Sequence, residues 1–355
     1  MTQPLVIEEG RRIRRLLIRG TNWIGDAIMT TPAVRAIRCG LPAAHISLLV
    51  KPWVAPVFAA SPHVDEIILY ESNGRHSGTR GTIRLSAELR QMRFDAAILL
   101  QNAFEAAFLA WAARIPLRGG FATDGRGLLL THPVQRRQRI RRVHQTLYYL
   151  EMLRGLGFRG RGAALELPLA ADADAAALQA LRAAGADEAA PLIGINPSAT
   201  YGSAKQWFPE RFARLADRLA TYLGGQVVIF GGPADKPLGA QISAMMKTVP
   251  IDLTGRTDLE TAMALIRKCG LFVTNDSGLM HVAAALDRPL VAVFGSTDMV
   301  TTGPLGNRSR VVRVPVHCSP CLLPECPIDH RCMARISVTR VFQTAVSLLE
   351  TVGSR

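Results

Sequence analysis

The feature that most constrains this chain is an alternation. Short apolar runs bounded by turn residues recur along it, and each is followed by a stretch with helical spacing. RRLLIRG (14–20), HISLLVK (45–51), VDEIILY (64–70) and FDAAILL (94–100) read as strands. Runs of this kind are typical of parallel strands buried on both faces. Residues 33–40, ending on Gly40, and residues 82–93, 103–114 and 143–156 read as the intervening helices. The Ala-rich stretch 170–191 reads as a helix and then a linker. At Leu192 the pattern restarts, with strands at LIGINPS, GQVVIFGG, LFVTND and PLVAVFG and helices between them, and it closes on a helix over 339–352. Strand–helix alternation over 355 residues predicts an α/β protein with two Rossmann-like, doubly wound domains facing a central cleft. The expected boundaries are 1–185, 186–338 and a C-terminal helix over 339–355.

Charge is uneven. Residues 1–185 hold 25 Lys and Arg against 14 Asp and Glu, whereas the remainder is nearly balanced. The basic half contains RRIRR (11–15) and RRQRIRRVH (136–144), so Arg136, Arg137, Arg139, Arg141 and Arg142 form a candidate patch for an anionic partner. An arginine-rich solvated surface is the plainer alternative. Nucleic acid is not the expected partner, because no zinc-finger, RNP or helix-turn-helix signature accompanies the charge and aromatics are only 6%. No apolar run reaches the ~18 residues of a membrane span, and the first residues do not resemble a signal peptide. The expected location is cytoplasmic, with peripheral attachment at an anionic membrane surface among the roles the basic patch suits.

Three loops at strand ends in the second half suit a nucleoside diphosphate. In LFVTNDSGLMHVAAAL (271–286), Asp276 or Ser277 can cap the following helix and Gly278 opens its backbone. The amides of Ser277, Gly278 and Leu279 then meet a phosphate at the positive end of the helix, with His281 in the first turn. In NPSATYGSAKQWFPERF (196–212), Ser198 and Thr200 offer hydroxyls and Lys205 a cation, while Trp207 and Pro209 anchor the next helix. In FGGPADK (230–236), Gly231, Gly232 and Asp235 can face a nucleoside, although Gly-Gly-Pro also makes an ordinary turn. There is no GxxxxGK[ST], and no GxGxxG follows the first strand of either half, which argues against a P-loop and a nicotinamide cofactor.

RGTNWIGDAIMTTPAVR (19–35) follows the first strand where a phosphate-binding turn usually lies, yet it carries Asp26. A carboxylate there repels phosphate. With the nucleotide on the second half, Asp26 can serve as a general base on a hydroxyl; as a first-turn acid it can equally just favour the helix dipole.

These stretches, in this order, resemble glycosyltransferase family 9, the ADP-heptose:lipopolysaccharide heptosyltransferases, and are most similar to its heptosyltransferase II branch. The resemblance runs from about Arg14 to Leu349. It implies a GT-B fold and metal-independent, inverting transfer of heptose from an ADP-sugar. Asp26 then matches the presumed base, Lys205 the phosphate-meeting lysine, and Asp276 to Leu279 with His281 the donor-binding helix start. The implied acceptor is an anionic heptosyl-Kdo2-lipid A core; type I or III acceptors, or a sugar-nucleotide epimerase, are the alternatives. HCSPCLLPECPIDHRCM places Cys318, Cys321, Cys326 and Cys332 within 15 residues. Such clustering suits a structural zinc, redox-labile or disulfide-forming cysteines, or free thiols; no cofactor is expected for catalysis.

Overall fold

The computed structural model describes residues 13–160 and 162–353, so Arg11 and Arg12 of the first basic run lie outside the described residues. The chain divides into two compact units, one up to Pro168 and one from Leu169. The first contains β1 (Arg15–Arg19), α1 (Ile24–Met29), α2 (Thr31–Gly40), β2 (His45–Val50), β3 (Glu66–Leu69), α3 (Gly78–Gln91), β4 (Ala96–Leu99), α4 (Phe104–Ala112), β5 (Leu117–Phe121), β6 (His132–Val134) and α5 (Gln145–Gly155). All six strands are parallel, in the order β3-β2-β1-β4-β5-β6. β1 lies between β2 and β4, with Leu16 opposite both Ile46 and Ala96, and Leu16, Leu17 and Ile18 are buried because helices cover both faces.

The second unit contains α6 (Ala173–Ala183), β7 (Leu192–Asn196), α7 (Pro209–Leu223), β8 (Gln226–Ile229), α8 (Lys236–Met245), β9 (Ile251–Asp252), α9 (Leu259–Lys268), β10 (Leu271–Asn275), α10 (Gly278–Ala285), β11 (Leu290–Val293), α11 (Met299–Thr302), β12 (Ser309–Val312), α12 (Arg331–Ala334) and α13 (Val338–Gly353). Its strands run β12-β11-β10-β7-β8-β9, also all parallel. Read from the β9 edge, this is the strand order of the first unit. α7 illustrates the local logic: Pro209 opens it at a position that needs no amide donor, Phe212, Leu215, Ala216 and Leu219 form its buried stripe, and Gly224 ends it at φ 59°.

Two features differ from the sequence expectation. α6 packs against α9 and α13 packs against α7, β11 and β12, so both belong to the second unit, which begins at Leu169 rather than at 186 and has no separate C-terminal piece. β5, β6 and β12 carry no strong strand signal: LRGGF holds two glycines, HPV a proline and SRVV an exposed arginine, compositions that sheets tolerate near their edges.

In each sheet the connections leave in opposite directions from one pair of neighbouring strands. These switch points are β1|β4 and β7|β10, and ligands of doubly wound sheets sit outside the strand ends there.

Candidate active site

At the β7|β10 switch point the two loops are bonded into one surface. Asn196, the last residue of β7, donates through Nδ2 to Ser277 Oγ at 2.8 Å and to Thr274 Oγ1 at 3.2 Å. Asn275, the last residue of β10, donates to Pro197 O at 2.6 Å and accepts the Trp207 amide at 3.0 Å. Ser277 is the cap of α10, its Oγ accepting from the Met280 amide, while Gly278 and Leu279 are partly exposed. The helix start therefore presents amide donors on a rigid rim, as an anion requires.

Asp276 does not cap. Its Oδ2 lies 2.8 Å from Lys205 Nζ, in an ion pair whose side chains are only 5% and 16% exposed. The contact lacks a hydrogen bond's alignment. Lys205 carries three donors, so a carboxylate on one side aims the ammonium and leaves N–H groups for a phosphate. Ser198 is buried just after β7 and Thr200 is exposed at the loop tip. His281, expected to touch the ligand, is 3% exposed, because α10 is buried along Met280–Ala284.

The Lys205 turn is held from behind by the cysteine-rich strap, residues 317–334. The Ala204 amide donates to Pro324 O at 2.9 Å, and Ala204 O meets His330 Nε2 at 3.1 Å. Gly202 is required at this approach: a Cβ there would sit 2.1 Å from Pro324 O. Trp207 Nε1 donates to Ile336 O just beyond the strap, and Arg211 donates to Met333 O and Ala334 O at its end and to Ile336 O. Sequence reasoning missed this strap as a support, because its partners lie more than a hundred residues away. Cys318, Cys321 and Cys326 are half-buried, Cys332 is buried, and all four are free. Burial, with the other three thiols nearby, pushes the Cys332 thiol up, and the His330 amide donates to Cys326 Sγ at 3.3 Å. Among the described residues no three His, Cys, Asp or Glu side chains are grouped so as to hold a metal ion. Elemental analysis of the purified protein distinguishes a structural zinc on the four thiols from free thiols.

The third loop is locally satisfied. Asp235 Oδ2 accepts the Gly232 amide at 2.7 Å, and Gly231 lets Asp235 and Thr254 approach its Cα. The aspartate is thus engaged in shaping its own turn.

In the first unit, Asp26 lies in the first turn of α1, partly exposed. α1 packs against α5, and Asp26 is near buried Tyr149; burial, with the Asp26 charge adding, pushes that phenol far up, so it stays protonated. The arginine patch forms a 3-10 turn over Gln138–Arg142 anchored by buried Ile140. Arg137, Arg139, Arg141 and Arg142 are exposed and Arg136 is partly so.

Comparison with known proteins agrees with this architecture. A model of glycosyltransferase family 9 (heptosyltransferase) matches residues 82–331. The chain is 34% identical over 312 residues to lipopolysaccharide heptosyltransferase 2 of Salmonella typhimurium, covering 84% of this chain and 88% of that one. Against the Escherichia coli protein of the same description the identity is 32% over 307 residues, with the same two coverages of 84% and 88%. The solved structure of E. coli ADP-heptose lps heptosyltransferase II matches with a TM-score of 0.81 at 29% identity, covering 96% of this chain and 99% of that one. The two parallel sheets and the match to that structure make this a GT-B fold, and the family and relative matches make it a glycosyltransferase. The chain belongs to glycosyltransferase family 9, the heptosyltransferases.

Proposed function

We propose that this protein transfers L-glycero-D-manno-heptose from ADP-heptose to a heptosyl-Kdo2-lipid A acceptor in the lipopolysaccharide inner core, with inversion at the anomeric carbon. The observation that carries the donor half is the bonded surface at β7|β10: a lysine aimed by a buried carboxylate beside an accessible helix start. The type II acceptor is supported by the relatives' names and their identity over most of both chains.

In this reaction the acceptor hydroxyl attacks the heptose anomeric carbon as the bond to the β-phosphate oxygen breaks. Asp26 takes the hydroxyl proton as it becomes acidic in the transition state. ADP leaves with the bonding pair. Its growing charge is met by Lys205 and by the amides of Ser277–Leu279, so no second acid is needed on the leaving group. The test is ADP release with ADP-heptose and defined acceptors. Turnover on heptosyl-Kdo2-lipid A well above that on Kdo2-lipid A supports the type II reading; the reverse preference assigns a type I acceptor.

Such an acceptor is anchored in a membrane, yet no helix among the described residues is long and apolar enough to cross one. Peripheral attachment is supported by a face of the first unit. Phe104, Trp111 and Ile83 are exposed on α3 and α4, with Arg80, Arg84, Arg90 and Arg93 exposed near them. Apolar tips ringed by cations suit an anionic lipid surface. Vesicles of phosphatidylethanolamine with phosphatidylglycerol should co-sediment the protein, and vesicles of phosphatidylcholine alone should not.

A further inference from the structure

The loops that leave β1 and β2 carry two tryptophans that the fold does not bury: Trp23 is 60% exposed and Trp53 is 44% exposed. Trp53 is nevertheless held through its side chain and Trp23 through its backbone. Trp53 Nε1 donates to Asn22 O at 2.9 Å, and Arg19 Nη2 donates to Asn22 Oδ1 at 2.8 Å. Arg19 is itself fixed by Gly20 O at 2.6 Å, and Trp23 O accepts the Ala27 amide at 2.9 Å in the first turn of α1. These hydrogen bonds fix the Trp53 indole and the backbone at Trp23, next to the turn that carries Asp26. Exposed indoles on a rigid strand-end rim present the flat apolar faces on which the C–H side of a sugar ring stacks.

Next to them is a cation without an anion. Lys51, the residue after β2, is only 6% exposed. Its Nζ lies 3.5 Å from the centre of the Tyr70 ring, and it has no carboxylate within ion-pair distance among the described residues. The nearby Glu105 carboxylate is taken by the Tyr70 hydroxyl, and Arg19 adds a second positive charge over the same ring. Burial, then repulsion from Arg19, hold the Lys51 ammonium down to about 8. A ring face compensates a desolvated cation only in part, so an arriving anion would complete the arrangement.

We propose that Trp23, Trp53 and Lys51 form an acceptor subsite for a sugar ring that carries a carboxylate or phosphate, the indoles stacking on the ring and the ammonium meeting the anion. This rests on the heptosyl-transfer reading and deepens it: the acceptor sugar is held next to Asp26, and the arginine turn at 136–142 is left to other charges of the same molecule.

The test is steady-state kinetics on heptosyl-Kdo2-lipid A with Trp53→Ala, Trp23→Ala and Lys51→Met. The acceptor KM should rise about tenfold or more in each while the KM for ADP-heptose stays within about twofold. Trp53→Phe should recover part of the loss. The Lys51→Met penalty should persist on a dephosphorylated acceptor if a carboxylate is read and vanish if a phosphate is; either result supports the subsite. Unchanged acceptor KM in all three folded variants overturns it. Should Lys51→Met fail to fold, the two tryptophan variants, altered at exposed side chains, still decide. Failure of the functional reading is separable: wild-type protein that transfers no heptose overturns that reading. The subsite is then judged by quenching of tryptophan fluorescence on adding acceptor alone, and no quenching overturns it.

Discussion

Lys205 and Asp276 neutralise each other before any ligand arrives, which changes what their substitution means. Besides removing the proposed phosphate contact, Lys205→Ala strands a carboxylate that is 5% exposed, a loss of about 3–5 kcal/mol in stability for a buried pair broken on one side. Thermal unfolding of Lys205→Ala should therefore fall together with donor affinity. In the double variant Lys205→Ala/Asp276→Asn much of the stability should return while the ADP-heptose KM stays high; recovery of both would leave Lys205 a purely structural role. Asp26 is the opposite case, a carboxylate in a short helix whose loss should hardly disturb the donor unit. Asp26→Asn should cut kcat by about 10²–10⁴ with ADP affinity by calorimetry unchanged. Near-normal turnover would remove Asp26 as the base.

The strap at 317–334 is the element that most needs a tertiary view. It contributes no strand to the sheet, yet both backbone groups of Ala204, next to Lys205, end on it. His330 sits at φ 52° and stacks edge-on against Phe208 at 5.7 Å. Under the donor role proposed for Lys205 it would act through that lysine, as a positioning residue. His330→Ala should raise the ADP-heptose KM several-fold with the acceptor KM unchanged. His330→Gln should recover part of that, because its amide reaches about as far as the imidazole Nε2 and can donate to Ala204 O. Equal loss in both variants, with a matching loss of thermal stability, would point to simple unfolding of the strap.

At the scale of the whole molecule, three carboxylates tie distant segments together. Asp65 is desolvated, but the Ile46 amide and Arg38 outweigh that and hold it low; Glu166 is held low in the same way by Arg35 and His63. In the second unit, Asp217 accepts the Lys247 and Thr248 amides and the Thr248 hydroxyl, and is also held low. A carboxyl depressed by folding contributes stability that is full above its unfolded pKa of about 4 and is lost as pH falls through its folded value. Resistance to urea should therefore decline below about pH 4, and Glu166→Gln should flatten part of that decline; an acid profile unchanged by the substitution would exclude Glu166 from it.

The sequence by itself determined the layered α/β plan, the central strands β1, β2, β4, β7, β8, β10 and β11, the capped start of α10 and the odd carboxylate at Asp26, because each is written in the spacing of adjacent residues. Tertiary structure alone decided the rest. Strands at or next to a sheet edge, such as β6 and β5, form because a neighbour offers a ladder, α6 joins the second unit because its apolar face fits α9, and Asp276 becomes a counter-ion because the β7 loop brings Lys205 to it. Periodicity reports which face of an element is apolar. Which residue meets a buried charge is set by non-local packing, and along the chain those partners lie tens to hundreds of residues apart.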